Sequence, residues 1–416
     1  RYELGTGSVD EALDYEPVLA GPGRPPLPRL LQANATAIGP HLGVSFGLTR
    51  SSWGLGMLAN DGAPREVAKD VSPFGFARHT DRIVRAQVMV FPLGRPDTRS
   101  PTGERQEPPL TVAVAADAVV EDDTANWAHG DRTWHAVAGV RGRVAGLRGG
   151  LYGVHRVQDH AEGGETEVSV LDLHLRQDLH ASDIHIWAEL EVALTFGETT
   201  YAENALDLGP QDVFAGGGLF QVGTRGGGLG IVLEGGYASG DDNPFDSEQR
   251  AFTFDREHRV GLMMFREVLA RSTAVAAANI ADPAHRASPP RGFQRAATGG
   301  AVRGAVYINP RVSYEFLEGL QVMVGYLHAT SDGFYTDPFQ SGLQGGTSMG
   351  TRGVPLTRTF GDELDLGLDY VLELDSLRLR FRGAFAWFDP GDIFASPDDP
   401  DPADQIGGWL HGEVRW

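Results

Sequence analysis

The sequence predicts an all-β protein, an antiparallel transmembrane β-barrel of about sixteen strands. Residues 184–196 alternate between apolar and mostly polar side chains, which gives a strand one apolar face and one polar face. The same alternation recurs along the whole chain. Because the polar faces are so often charged, they cannot all form the exterior of a soluble protein while the apolar faces share one core. In a membrane barrel the apolar faces contact lipid instead.

The composition agrees with a barrel and excludes several other classes. The chain has 416 residues, 41% hydrophobic and 22% charged, without the run of 18 apolar residues that predicts a membrane-spanning helix. The mean hydropathy is only −0.22, because every second residue of a barrel strand avoids lipid. The absence of cysteine excludes disulfides and thiolate sites. The net charge of −21 argues against nucleic acid as a partner.

Alternating runs and turn residues delimit sixteen candidate strands in a single domain, 1–416, with roughly fourteen to eighteen compatible with the pattern. The first eight cover residues 1–7, 28–37, 41–59, 82–93, 109–120, 132–146, 150–160 and 165–178. The second eight cover residues 184–198, 212–224, 228–240, 300–316, 319–330, 358–374, 377–389 and 405–416.

The links between these strands are alternately short and long. Short links include residues 147–149, 225–227 and 375–376, whereas long ones include 60–81 and 241–299. Short turns on one rim and long loops on the other are typical of bacterial outer-membrane barrels, with the turns in the periplasm and the loops outside. Residues 94–108 and 161–164 depart from the alternation, so a misplaced strand there is one alternative.

The last strand ends on Trp416, with Val414 and Leu410 on the same face. A terminal aromatic residue on such a strand resembles the assembly signal of outer-membrane barrels. The resemblance implies a periplasmic C-terminus and recognition by the barrel-assembly machinery, and a chance C-terminal tryptophan is the alternative. The expected location is therefore the bacterial outer membrane, with its lipids and lipopolysaccharide as partners.

Polar residues on the strand 184–198 are predicted to face the lumen. They are His185, Glu189 and Glu191. Because such side chains would stand in water, glutamine in place of Glu191 is expected to fold with little loss.

A charge ladder is predicted on the hairpin 358–389. Its members are Asp365, Asp369, Glu373, Arg378, Arg380 and Arg382. A two-residue turn at 375–376 sets Glu373 opposite Arg378 and Asp369 opposite Arg382. The ladder would create a selectivity field for charged solutes, and ion pairs that merely solvate the barrel interior are the alternative.

The loops carry weak candidates for metal ligands. Asp241, Asp242, Asn243 and Asp246 open the longest loop, and such oxygen ligands suit Ca²⁺. Their spacing matches no EF-hand, so a solvated acidic surface is favoured. No cofactor is predicted, with Ca²⁺ at the acidic outer loops, bridging to lipopolysaccharide, as the alternative. The histidines at 174, 180 and 185 flank one turn, but no fourth ligand completes a zinc site.

The long loop 241–299 also contains an apolar stretch at residues 260–280, which predicts an amphipathic helix. This helix would cap the barrel outside, fold inward to narrow the pore, or dock a partner, and the three alternatives stay open. The chain contains no serine-hydrolase, zinc-protease or phosphate-loop motif, so no catalytic residue is predicted and the protein is not expected to be an enzyme.

Two segments carry a resemblance to a known family. They are residues 53–62, which begin Trp-Gly-Leu-Gly and precede Thr80, Asp81 and Arg82, and residues 240–244. They resemble motifs of an uncharacterised family of myxobacterial outer-membrane barrels, porin-like and more distantly similar to alginate-export-like barrels. The resemblance implies a barrel over most of the chain and carries no ligand-binding residues. Arg1 begins either a mature chain or one without its start, and longer family members favour the second.

The expected function is a passive or semi-selective channel for small solutes. A dedicated exporter or importer of a polysaccharide or similar solute is one alternative, and a structural or adhesive anchor for a surface complex is another, because a barrel alone does not define a function. A homo-oligomer and other surface proteins are left open as partners.

Overall fold

In the computed structural model, sixteen strands pair in sequence order into one antiparallel sheet. The structure describes residues 3–6, 13–15, 28–30, 32–61, 81–95, 107–201, 210–243, 245–285, 292–374 and 377–415. The strands are β1 (Glu3–Thr6), β2 (Ala33–Ile38), β3 (Leu42–Arg50), β4 (Arg82–Val90), β5 (Leu110–Glu121), β6 (Arg132–Val144), β7 (Leu147–Asp159), β8 (Glu165–Ala181), β9 (Ile184–Thr199), β10 (Gln211–Gly226), β11 (Leu229–Ala238), β12 (Ala305–Leu317), β13 (Leu320–Ser331), β14 (Thr359–Leu374), β15 (Leu377–Pro390) and β16 (Gln405–Arg415). The predicted fold class and strand number are confirmed.

Burial along each strand is the reverse of that in a soluble protein. On β9, Leu190 is 39% exposed, whereas its neighbour Glu191 is completely buried. Leu194 and Phe196 share the exposed face with Leu190, and Ala193 shares the buried one. Because apolar side chains point outward along almost every strand, the outer surface suits lipid and the inner surface encloses the polar residues.

The links follow the predicted alternation, including its two departures. β4 and β5 are direct neighbours, so the long link between them stands where a short turn would be usual. The tight turn at residues 160–164 is closed by the His160 amide, which donates to the Gly164 carbonyl at 3.0 Å. No strand is misplaced at either point, since β7 pairs with β8 directly.

Two predicted strands are shorter than expected because their ends enter the barrel. The strand predicted at 41–59 ends at Arg50, since Gly54 and Gly56 take φ values of +51° and +76° that turn the chain away from the sheet. The strand predicted at 300–316 begins at Ala305. Residues of both segments join one interior cluster with strand residues such as Leu219 and Phe388.

Helices are few and lie in the loops. A π-helical turn, Met264–Leu269, leads into α1 (Ala270–Ala281), and α2 (Pro338–Leu343) begins at the N-cap Asp337. Short 3-10 turns occupy Trp127–His129, Phe293–Ala296, Thr351–Gly353 and Asp392–Phe394. Leu13–Tyr15 and Pro28–Leu30 form a separate two-stranded sheet, and Glu248–Gln249 runs parallel to β10. Within the described ranges, no helix is both long and apolar enough to cross a bilayer.

Candidate functional site

The loop after β3 folds into the lumen and is held there by Glu191. The backbone N–H groups of Leu55 and Met57 both donate to the Glu191 carboxylate, the second at 3.3 Å. Gly54 lies so close that a Cβ atom there would stand 2.5 Å from the same carboxylate. The segment that carries the family resemblance is therefore an inserted loop, and we call residues 51–60 the first inserted loop.

Trp53 fixes the start of this loop against the two strands that precede β9 in the sheet. Its indole Nε1 donates to Asp172 Oδ1 on β8 at 3.0 Å. Its ring stacks on Tyr152 of β7, with 5.0 Å between the ring centroids. The first inserted loop thus touches three neighbouring strands, β7 to β9, from inside.

A second inserted loop, residues 252–269, is held on β14 by Glu363. The carboxylate accepts hydrogen bonds from the amides of Leu262, Met263 and Met264 at 2.5, 2.9 and 2.6 Å. Gly261, at φ +63°, permits this approach, because a Cβ atom there would lie 2.7 Å from Leu327. One buried carboxylate satisfies three backbone donors that are otherwise costly to bury.

The two inserted loops form one body. The amide of Asp255 donates to the Met57 carbonyl at 2.7 Å, and the Asn60 amide donates to Asp255 Oδ2 at 2.9 Å. Phe265 of the second inserted loop packs on the wall, with its ring centroid 5.7 Å from that of Phe360 on β14. We call this body the plug. The apolar residues of the plug pack against residues of β9 to β16, and together they form the interior apolar cluster.

A polar network supports the plug from the wall of β11 and β12. Glu234 accepts from Arg311 Nη2 at 2.8 Å and from the Tyr307 hydroxyl at 2.9 Å. His258 of the plug lies 3.5 Å from the same carboxylate. Because every one of these side chains is buried, removal of a single partner would leave a polar group unsatisfied.

Carboxylates gather where the plug meets the ends of β4 and β5. Asp81 precedes β4, Asp122 and Asp123 follow β5, and Asp255 belongs to the plug. Burial, and after it the charges of Asp255, Asp122 and Asp123, raise the pKa of Asp81 well above its usual value. Burial and the nearby Asp123 likewise raise the pKa of Asp255. Arg156 outweighs the effect of burial at Asp122 and lowers its pKa to about 2.

The hairpin of β14 and β15 has the register that the sequence predicts, with Asp369 opposite Arg382 and Glu373 opposite Arg378. The turn residues 375–376 lie outside the described residues. The closest ion pair is nevertheless diagonal, because Arg380 binds Asp369, with Nε 2.9 Å from Oδ1. Arg378 and Glu373 are 3.6 Å apart and exposed at the rim, where such pairs contribute little.

The remaining members of the ladder belong to the plug region. Asp365 is fully buried, two residues along β14 from Glu363. Arg382 acts on Arg259 at the inner part of the plug: burial lowers the pKa of Arg259, Glu257 raises it, and Arg382 lowers it further. The wall arginine and the plug arginine are therefore close enough to interact electrostatically.

The other lumen residues that the sequence predicts form a network on β8 and β9. Glu189 accepts from His174 Nε2 and from Arg176 Nη1, each at 2.7 Å. His185 Nε2 lies 2.9 Å from Asp178. These histidines therefore bind separate carboxylates. No group of three metal-ligating side chains that could hold an ion occurs among the residues that the structure describes.

In the acidic loop 241–246, the carboxylates mainly cap backbone donors. Asp241 accepts from the amides of Asn243 and Arg250 at 3.1 and 3.2 Å, and Asp246 accepts from the Glu248 amide at 2.8 Å. Asp242 supplies its carbonyl to Ser348. Ca²⁺ binding at this loop stays a prediction.

At the chain end, Leu410 and Val414 lie on the exposed outer face of β16, Leu410 at 92% exposure. Trp416, the third residue of the predicted assembly signal, lies outside the described residues. The signal itself stays a prediction.

Comparison with known proteins identifies the fold alone. No family model and no curated protein matches the chain. Among solved structures, it is similar to OpdK (OccK1) of Pseudomonas aeruginosa, with a TM-score of 0.52 and 12% identity over 100% of this chain and 85% of that one. OpdK solved with vanillate gives the same values. OccK11 (OpdR) from the same organism follows, with a TM-score of 0.48 and 13% identity over 94% of this chain and 80% of that one.

Proposed function

We propose that this protein is an outer-membrane channel that admits small solutes past a built-in plug, and that it is not an enzyme. The plug carries this proposal. Glu191 and Glu363 are buried to hold two loops inside the lumen, although burial of a carboxylate is costly. Such fixed loops narrow the passage to a defined shape and so support a selective channel rather than a wide, open one.

A bacterial outer-membrane location is part of the same proposal. Its support is the apolar outer face of the sheet and a fold similar to that of OpdK. The long loops would face outward and the short turns the periplasm. Lipopolysaccharide, the barrel-assembly machinery and Ca²⁺ at the acidic loops stay proposals, as does a homo-oligomer. Membership of the myxobacterial family is also a proposal, supported by the resemblance of residues 53–62.

The path would begin in a cavity of about 870 Å³ between α1 and the first residues of β16. Plug residues Leu262 and Met263 line it, together with three arginines and three carboxylates: Arg266, Arg271, Arg352, Glu267, Asp337 and Asp399. Arg259 of the plug and Arg382 of the wall interact electrostatically. Since fixed charges in a low-dielectric passage bias the ions that pass, such charges would make the passage selective for the charge of the solute.

The test is conduction in planar bilayers by the full chain. We expect small unitary steps from the wild-type protein. A variant in which a short Gly-Ser linker replaces residues 256–262 should give larger steps, because the inner part of the plug is removed. A wild-type protein that never conducts, together with a variant that does not conduct either, would overturn the channel and favour an anchor. A wild-type conductance as large as the variant's would overturn the role of the plug.

A further inference from the structure

A second cavity, of about 680 Å³, lies at the short-turn end of the lumen, between the β6–β7 turn and the adjoining parts of β8 and β9. No residue of the plug lines it. Three arginines and a single carboxylate, Asp178, do so. Its volume is in the range of sites that hold small organic ligands.

The carboxylate of this cavity is already fully used. Asp178 accepts from Arg148 Nη2 at 2.8 Å, from Arg176 Nη2 at 2.7 Å and from His185 Nε2 at 2.9 Å. Arg176 has one further anionic partner, Glu189, at 2.7 Å. The cavity therefore has no free anionic acceptor to offer, while its guanidinium groups keep unused N–H donors.

Arg143 adds a cation without a counter-charge. It lies opposite Arg148 in the β6–β7 ladder and lines the cavity. Throughout the described part of the chain, no side chain forms a hydrogen bond or ion pair with it. Arg148 already has Asp178 as its counter-charge, so Arg143 is the cation of this cavity whose charge a bound anion would offset.

Trp187 lines the cavity with its ring. The side chain is 2% exposed and packs directly against Gly223, where the indole would contact any Cβ atom. Its Nε1–H has no hydrogen-bond acceptor among the described residues, but the nitrogen itself is buried. Trp187 therefore gives the cavity an apolar wall and not a donor.

An aromatic wall completes the cavity. The rings of His180 and His185 stack with 4.4 Å between centroids and 12° between planes, and Trp187 follows at 5.2 Å. These rings line the same cavity as the arginines.

We propose that this cavity is a binding site for a small phosphate monoester. N–H donors of Arg143, Arg148 and Arg176 line one space, and a phosphate offers three oxygens and up to two negative charges to them. A carboxylate offers two oxygens and one charge, which would leave more of the donors unpaired. The site is separate from the plug and does not require that the protein conducts.

The test is calorimetric titration of the detergent-solubilised full chain with inorganic phosphate as the probe, in a zwitterionic buffer. We expect saturable binding by the wild-type protein. Arg143→Gln should weaken it about tenfold or more, since a charge-assisted hydrogen bond is lost. Arg148→Gln should weaken it as well, because a second cation that lines the cavity is lost. The matched control is Arg141→Gln, two residues away on the same face of β6 and outside the cavity, which should bind phosphate as the wild type does.

Three results would overturn the proposal. The first is the absence of saturable phosphate binding by the wild-type protein. The second is an equal loss in Arg141→Gln and Arg143→Gln, which would mean that general charge and not a site attracts the anion. The third is acetate binding as tight as phosphate binding, which would contradict the ligand class. Heat-modifiable migration in gels verifies that each variant is folded. Bilayer conduction reports separately on the proposed channel.

Discussion

Glu363 Oε2 accepts a hydrogen bond from the backbone amide of Met264 at 2.6 Å, on the side of β14 that faces the lumen. The other oxygen of the same carboxylate accepts from the two preceding amides. An inward loop is therefore fixed to the wall by a single side chain, at the point where the π-helical turn begins. Glu191 repeats the arrangement for the first inserted loop, so the position of the plug depends on two carboxylates.

Loss of Glu363 should loosen the plug. Glu363→Ala leaves three buried amides without an acceptor, each at a cost of about 1–3 kcal/mol. We therefore expect larger or fluctuating conductance steps in planar bilayers and a lower melting temperature. Glu363→Gln should fall between, because one oxygen remains an acceptor. Glu373→Gln, at the exposed end of the same strand, is the matched control. Unchanged conductance in Glu363→Ala would contradict the anchoring role.

Glu191 should be sensitive to the same change, contrary to the sequence-based expectation that glutamine is tolerated there. The residue is not solvated but buried, and its two oxygens face the amides of Leu55 and Met57. In glutamine an NH₂ group replaces one of the two carboxylate oxygens, and because it cannot accept a hydrogen bond, one of the two backbone amides loses its acceptor. We expect Glu191→Gln to lower the melting temperature of the detergent-solubilised protein, whereas Glu198→Gln, exposed on the same strand, should not. Equal melting temperatures would show that the first inserted loop holds without the carboxylate.

Strand faces and register could be predicted from the sequence because both depend on local periodicity. Alternation sets the two faces of β9, and a two-residue turn sets Asp369 opposite Arg382. The plug could not be predicted in this way. Leu55 meets Glu191 across 136 positions, and Met263 meets Glu363 across 100. The one local signal is the pair Gly54 and Gly56, since two glycines allow a turn, whereas the alternation of residues 41–59 predicts a continuous strand.

The outer face should reject charge. Leu190 lies on that face, beside Val192 and Leu194 on the same strand. Leu190→Arg should destabilise the folded protein in lipid vesicles by about 2–4 kcal/mol, the usual cost of a cation at the middle of a barrel's lipid face. Leu190→Phe should be tolerated, because it keeps the face apolar. The measurement is urea unfolding in vesicles. A tolerated arginine would mean that this face does not contact the hydrocarbon.

The pH dependence of stability should change when Asp81 is neutralised. Burial and nearby carboxylates raise the pKa of Asp81 in the folded protein. A carboxyl with a raised folded pKa stabilises the protein below its unfolded pKa, and this contribution is lost as the pH rises through the folded value. Asparagine carries no charge at any pH, so Asp81→Asn avoids this loss of stability at high pH. The melting temperature of the variant minus that of the wild type should therefore be larger at pH 8 than at pH 4. Asp212→Asn, at an exposed position, is the control. A difference that does not vary with pH would contradict the raised pKa.

Ion selectivity should depend on Arg382 more than on Arg378, although both belong to the predicted ladder. Arg378 is exposed at the rim beside Glu373, where water and salt screen its field. Arg382 is half-buried, so low-dielectric surroundings leave its field on the lumen less screened than that of Arg378. Arg382→Gln should therefore make the channel more selective for cations, which is measured as a shift of the reversal potential in a salt gradient. Arg378→Gln, the same change on the same strand, should shift it little. The contrast should be largest at low salt, because the Debye length grows from about 10 Å at 0.1 M to about 30 Å at 0.01 M. If both variants shift the potential equally, the burial of Arg382 does not make its charge more important for selectivity than that of Arg378.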